Sequence, residues 1–156
     1  MGDKQQQDLK VRAYVRLIRT GEALHLEVSK GLSIEGLTAS QFSTLKVLRL
    51  QGPLAQRDIA KYLLKSGGNV TMVVDNLERE GLVARVRDTE DRRIVFVKLT
   101  AEGEATFDRV YPGHLDRIRD AVGNLTSNQC EELISLLDSI VEQVEVVECA
   151  PELSVR

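Results

Sequence analysis

The stretch from Ser66 to Thr100 constrains this chain more than any other. It opens as "SGGNVTMVVDNLEREG", where Val70, Val73, Val74 and Leu77 fall at i, i+3, i+4 and i+7 and so mark one buried face of a helix. Ser66 suits the N-cap and Gly81 the position just past the C-terminus. The chain then turns without a linker into "LVARVR" and "RIVFVKLT", two alternating, β-branched-rich runs that read as an antiparallel pair. Between them, from Arg87 to Arg93, six of seven residues are charged and both signs are mixed. A two-residue turn would close the hairpin with less, so the long charged tip needs a reason.

The surrounding segments are helical. Residues 8–30 carry Leu9, Val11, Tyr14, Leu17, Ile18, Leu24, Leu26 and Val28, apolar on more than one side, as in a helix packed against two bodies. After the break at "GLSIEG", Thr38-x-x-Gln41 reads as a capping box for a helix that Gly52-Pro53 ends. A short helix follows with Ile59, Ala60, Leu63 and Leu64 inward. Thr100 caps a helix carrying Phe107, Val110, Tyr111, Leu115, Ile118 and Val122, in which Pro112-Gly113 predicts a kink or break. A second capping box, Thr126-x-x-Gln129, starts an amphipathic last helix running through Leu133, Leu137, Ile140, Val144 and Val147. Four helices, two strands and two helices make a mainly α fold with a small β-hairpin wing (α+β): a winged helix-turn-helix with extra helices at both ends. At 156 residues this is one domain. We expect a DNA-binding lobe over 36–100, dimerisation helices over 8–32 and 101–148, and a tail over 149–156. The terminal helices carry more apolar surface than one chain can bury, so a homodimer is expected.

Charge is distributed unevenly. The net charge of −3 splits into +3 over residues 1–52, +2 over 53–100 and −8 over 101–156, so the region with the wing is mildly basic and the last third acidic. No apolar run reaches the ~20 residues of a membrane span, and "MGDKQQQDLK" has no secretory character. Cys130 and Cys149 form neither a metal-ligand spacing nor a disulfide framework. A cytoplasmic setting is expected. Phosphate-loop, zinc-protease and nucleophile-elbow motifs are absent, and His25 and His114 lie far apart in sequence, so neither an enzyme nor a cofactor or metal site is expected.

The helix from Ser66 therefore reads as a surface for DNA. With its valines inward, 100° per residue turns Gly68, Met72, Asp75 and Arg79 outward, with Asn69 and Asn76 on one flank and Thr71 on the other. Met72 is either a lone surface methionine or a contact for thymine methyls in a major groove. Gly67 and Gly68 are either a flexible turn or a place where the helix N-terminus approaches a phosphate closely. The charged tip is either a solvated loop or a wing, in which Asp91 holds an arginine in bidentate geometry so that it enters a minor groove. Lys46, Lys61, Lys65 and Arg79 are the expected phosphate contacts.

"SGGNVTMVVDNLEREGLVARVRDTEDRRIVFVKLTAEGE" resembles the recognition helix and wing of the MarR family of bacterial transcription regulators. Asp91-Arg92-Arg93 matches the family's D-x-R, and Leu99-Thr100-Ala101-Glu102-Gly103 its L-T-x-x-G. The resemblance spans roughly residues 10–147 and implies a dimeric regulator of double-stranded DNA at a pseudo-palindromic operator, mostly a repressor. It makes Arg93 the minor-groove arginine, Asp91 its brace and Arg92 a second candidate at the tip. Base reading falls to Ser66, Gly68, Asn69, Thr71, Met72 and Asn76. The resemblance also implies release by a small, often aromatic or phenolic effector in a crevice between lobe and dimerisation helices. Candidate lining residues are Tyr14, Arg16, Arg19, His25, Phe42, Tyr111 and His114. One branch of the family senses peroxide through a cysteine near the N-terminal helix. Residues 1–129 hold none, and Cys130 reads either as a small hydrophobe or as a thiol near a helix N-terminus. A winged-helix protein-interaction module that never touches DNA is the alternative.

Overall fold

The computed structural model describes residues 2–64 and 66–141, with side chains from Asp8 onward. Lys65, the end of the last helical pattern with Val144 and Val147, Cys149 and the tail 149–156 lie outside the described residues. The elements are α1 (Gly2–Ile34), α2 (Ala39–Gln51), β1 (Leu54–Ala55), α3 (Gln56–Tyr62), α4 (Gly67–Arg79), β2 (Val83–Arg87), β3 (Val95–Leu99), α5 (Ala101–Ala121) and α6 (Ser127–Val141).

Helices α2, α5 and α6 start at the threonine caps that the sequence predicts. Thr38 and Gln41 exchange both bonds of the capping box, and Gly52 ends α2 with φ 78°. Thr126 and Gln129 form the second box at α6. Thr100 accepts from the Gly103 amide to cap α5, and its own hydroxyl donates to the Gly81 carbonyl at 2.7 Å. Gly103 has a tertiary reason to be glycine: a Cβ there would stand 1.9 Å from the Leu82 carbonyl oxygen. The L-T-x-x-G run thus binds α5 to the foot of β2.

Three expectations need correction. Two-residue β1 adds a third strand, Leu54 opposite Val97, giving the order β1-β3-β2. Pro112 does not break α5, which runs continuously through it. It sits on the solvent face, as does Asp108, whose carbonyl loses its helical donor, so no buried group is orphaned. Leu64 is exposed with φ 49°, because α3 ends before it and the chain turns there.

The core joins α2, α3, α4, the sheet and α5. Leu45, Ile59, Val70, Val74, Leu77, Val97 and Phe107 are each at most 1% exposed. Burying one such aliphatic side chain stabilises by roughly 1.5–3 kcal/mol. Helix α1 reaches this core only through its C-terminal part, where Leu32 is buried. The rest of α1 and nearly all of α6 stand in solvent with apolar side chains outward, Leu9, Tyr14, Leu26, Ile134 and Leu136 among them.

Candidate nucleic-acid interface

Helix α4 is anchored through Val70, Val74 and Leu77, with Val73 partly buried against the same core. That leaves Ser66, Gly68, Asn69, Thr71 and Met72 exposed along its N-terminal half, Met72 at 63%. Ser66 stands at the N-cap position, yet its side chain makes no capping bond. Thr71 donates its hydroxyl proton to the Gly67 carbonyl at 2.9 Å and accepts from Gln56 Nε2. Asn76 is half-buried, and its amide oxygen accepts from Arg79 at 3.2 Å.

The wing tip folds on its own acids. One Asp88 carboxylate oxygen accepts the backbone amides of Glu90 and Asp91, at 2.6 and 3.2 Å. A ladder-like bond from the Asp88 amide to the Ile94 carbonyl and a turn bond from the Ile94 amide to the Asp91 carbonyl close the loop. Asp91 grips Arg93 three times: its Oδ1 accepts the Arg93 amide at 3.0 Å and Nε at 3.1 Å, and its Oδ2 accepts Nη2 at 3.2 Å. The side-chain bonds to Arg93, then the backbone bond, hold the Asp91 carboxyl below its ordinary range. The held guanidinium is nevertheless 90% exposed, and Arg92 beside it is exposed too.

Sequence reasoning missed a cluster at the middle of β2, where the wing meets α4. Arg85 on β2 donates to Asp75 and Glu78 of α4 and, at 3.3 Å, to Gln56 Oε1 at the start of α3. Its backbone amide also donates to Glu78 at 3.0 Å. That backbone bond, followed by the side-chain bond, lowers the Glu78 pKa. Burial works against the Arg85 charge, but its bonds to Asp75 and Glu78 outweigh it and raise the pKa. Asp75, read as simply outward, is therefore engaged. Arginine 85 lies within a strand pattern, and only packing reveals its partners.

The expected phosphate contacts separate. Arg79 is exposed, and Lys61 is exposed beside Asp58 at 3.4 Å. Half-buried Lys46 instead lines a crevice of about 290 Å³ between α1, α2 and α5. Of the expected crevice residues, His25, Phe42 and His114 line it, together with Leu24, Val28, Ser43 and Lys46. Tyr111 is core, stacked on Phe107 at 4.8 Å. Tyr14 borders an apolar groove between α1 and α6, and Arg16 and Arg19 border a separate depression on α1. They fail as crevice residues because α1 meets the lobe only near its C-terminus. In the crevice His114 packs on Phe42, centroids 4.3 Å apart, and its Nδ1 is buried without a partner. Burial first, then the charges of Arg117 and Lys46, lowers its pKa to about 4.

A three-helix core that presents one helix beside a braced hairpin defines the winged helix-turn-helix class of DNA-binding regulators. The comparisons agree: the MarR family profile matches residues 37–95. The Bacillus subtilis (strain 168) helix-turn-helix transcriptional regulator YkoM is 38% identical over 102 residues, 65% of this chain and 66% of that protein. A cysteine-to-serine mutant of MarR from E. coli, solved in complex with operator DNA, superimposes with TM-score 0.77 at 27% identity, over 85% of this chain and 96% of that one. BpsR of Bordetella bronchiseptica, solved to explain regulation of its DNA binding by 6-hydroxynicotinic acid, gives TM-score 0.75 at 26% identity, over 83% and 98%. The chain belongs to the MarR family of helix-turn-helix transcriptional regulators. Among the described residues, no helix is long and apolar enough to cross a membrane and no His/Cys/Asp/Glu group could hold a metal ion.

Proposed function

We propose that this regulator is a cytoplasmic homodimer that represses transcription by binding a pseudo-palindromic operator in double-stranded DNA. Helix α4 enters the major groove with Gly68, Asn69, Thr71 and Met72 toward the bases. Ser66 and Asn76 flank the contact. Arg93 inserts into the adjoining minor groove, Arg92 follows the backbone, and Lys61, Lys65 and Arg79 meet phosphates. The observation that carries this reading is the exposed Arg93 guanidinium held by Asp91 beside the exposed half of α4. A narrow minor groove attracts an arginine, and an arginine already ordered loses less side-chain freedom on binding. The division into a lobe over 36–100 and dimerisation helices over 8–32 and 101–148 is supported by the exposed apolar faces of α1 and α6, while Leu32 and the α5 residues Phe107, Val110, Tyr111 and Leu115 pack into the lobe's core.

The test is operator affinity of Arg93→Ala, measured by fluorescence anisotropy across salt concentrations. The variant is expected to lose ~1–3 kcal/mol of binding while remaining folded and dimeric. Unchanged affinity at matched salt sinks the wing assignment.

We further propose that a small aromatic acid in the His25–Phe42–His114 crevice releases the DNA. The crevice offers an aromatic wall at Phe42 and a cation at Lys46, and the similar BpsR responds to 6-hydroxynicotinic acid. A ligand that binds only the folded state raises the melting temperature. Substituted benzoates and hydroxypyridine carboxylates are expected to do so for the wild type and not for His114→Leu. For Cys130, half-buried at the start of α6, we favour a packing role over redox sensing.

A further inference from the structure

Helix α4 carries two acids, Asp75 and Glu78, on an element that would lie against phosphates. Left unpaired they would repel DNA. Instead both bind Arg85. Thr71, Asp75 and Glu78 stand four and three residues apart and so share one face of the helix. That face meets Arg85 of β2 and Gln56 of α3. Gln56 completes the link, since its Oε1 accepts from Arg85 and its Nε2 donates to Thr71. Glu78 also takes the backbone amide of Arg85. β2 is an edge strand of the β1-β3-β2 sheet, so this bond satisfies an N–H that would otherwise lack a ladder partner.

Position gives the cluster leverage. Arg85 pairs opposite Val97, in the middle of the β2–β3 ladder. Arg93 lies four residues beyond Val97, about 13 Å at strand rise. A tilt of about 5° at that pair therefore moves the tip by about 1 Å over that length, enough to spoil a groove contact. Arg85 is a poor phosphate contact itself: its side chain is only 27% exposed and its guanidinium is committed to three partners within the protein.

We infer that Arg85 is a positioning residue for sequence reading, which with Gln56, Asp75 and Glu78 sets the angle between the recognition helix and the wing and holds Thr71 in one hydroxyl orientation. The inference rests on α4 being the DNA-reading helix. It makes a prediction of unusual sign: neutralising an acid on the DNA side of the protein weakens specific binding.

The test uses the full-length protein, a duplex it selects from random-sequence DNA, and a scrambled duplex of equal composition. For Asp75→Asn the selected duplex is expected to bind about tenfold more weakly, the size of one lost charged hydrogen bond. The scrambled duplex stays within about twofold and the slope of log affinity against log salt is unchanged. Glu78→Gln, which keeps the side-chain shape, is expected to act in the same direction and serves if Asp75→Asn folds poorly. A variant that merely loosened the fold would weaken both duplexes alike. Equal or tighter binding of the selected duplex by both acid variants overturns the inference, because the acids then act only by repulsion. So does an Arg85→Met variant that weakens both duplexes equally with a shallower salt slope, because Arg85 is then a phosphate contact. If the wild type selects no duplex at all, the DNA reading itself fails and this inference with it.

Discussion

The lobe and the terminal helices handle apolar side chains in opposite ways. In the lobe, Leu45, Ile59, Val74 and Leu77 are sealed from solvent. In α1 and α6, Leu9, Tyr14, Leu26, Ile134 and Leu136 are 57–67% exposed. Both regions are amphipathic at helical period, so periodicity alone does not separate them. The difference lies in what surrounds them. The lobe closes a core from within one chain, whereas α1 and α6 flank an apolar groove lined by Tyr14, Leu17, Leu133, Leu136 and Ile140. The lobe closes on its own contacts, and the ends leave the apolar faces that the proposed homodimer would cover.

The sharpest way to break this comparison is a charge in the terminal helices. Leu136→Glu is expected to abolish the dimer at micromolar concentration in sedimentation velocity while the lobe keeps its fold by near-ultraviolet circular dichroism. A dimer of unchanged affinity would remove α6 from the interface. Next in size is a truncation inside the lobe. Leu77→Ala removes a fully buried side chain and should cost about 3 kcal/mol in urea unfolding. A loss under about 1 kcal/mol would mean that the lobe core repacks freely.

A smaller effect comes from the seam between the two regions. His114 has a folded pKa of about 4 against an ordinary 6.5, so between those values the unfolded chain binds the extra proton. The contribution is fully present above about pH 6.5 and is lost as pH falls through about 4, worth about 2 kcal/mol once partial solvation is allowed for. His25, Lys46, Arg117 and Glu35 are the charged or titratable neighbours. His114→Phe should flatten that part of the stability–pH curve relative to wild type. Parallel curves would place the proton elsewhere. The smallest effect is expected at the tip, where Asp91→Asn loosens Arg93 without removing it. Operator binding should weaken by less than in Arg93→Ala, and a larger loss would give Asp91 a role beyond the brace.

Much of the lobe was legible from sequence because its signals are short-range. Thr38 and Gln41 cap within three residues, Val70 to Leu77 mark one face, and Asp91 reaches Arg93 two residues away. Residue types alone pointed to Asp91 holding an arginine, and the family resemblance named Arg93 as that arginine. Long-range features stayed hidden. Lys46 looked like any exposed lysine of a DNA-binding lobe, yet the packing of α1 and α5 turns it into the crevice wall. Tyr14, Arg16 and Arg19 are polar or aromatic residues of the same helix as His25, but six to eleven residues of helix, about 9–16 Å at 1.5 Å each, carry them away from the crevice.

The sequence by itself determined the order of the helices and the β2–β3 hairpin, the threonine caps of α2, α5 and α6, and the charged wing. Each depends on backbone preference or on hydrogen bonds between near neighbours, which form wherever that stretch of chain is placed. Only the tertiary structure decided the pairing of Leu54 with Val97, the crevice around His114, and the junction of Gln56, Asp75 and Glu78 on Arg85. Those contacts join residues 7–43 apart in the first and third cases and up to 98 apart across the crevice. They depend on how whole elements pack, which burial of the shared core selects and local pattern does not encode.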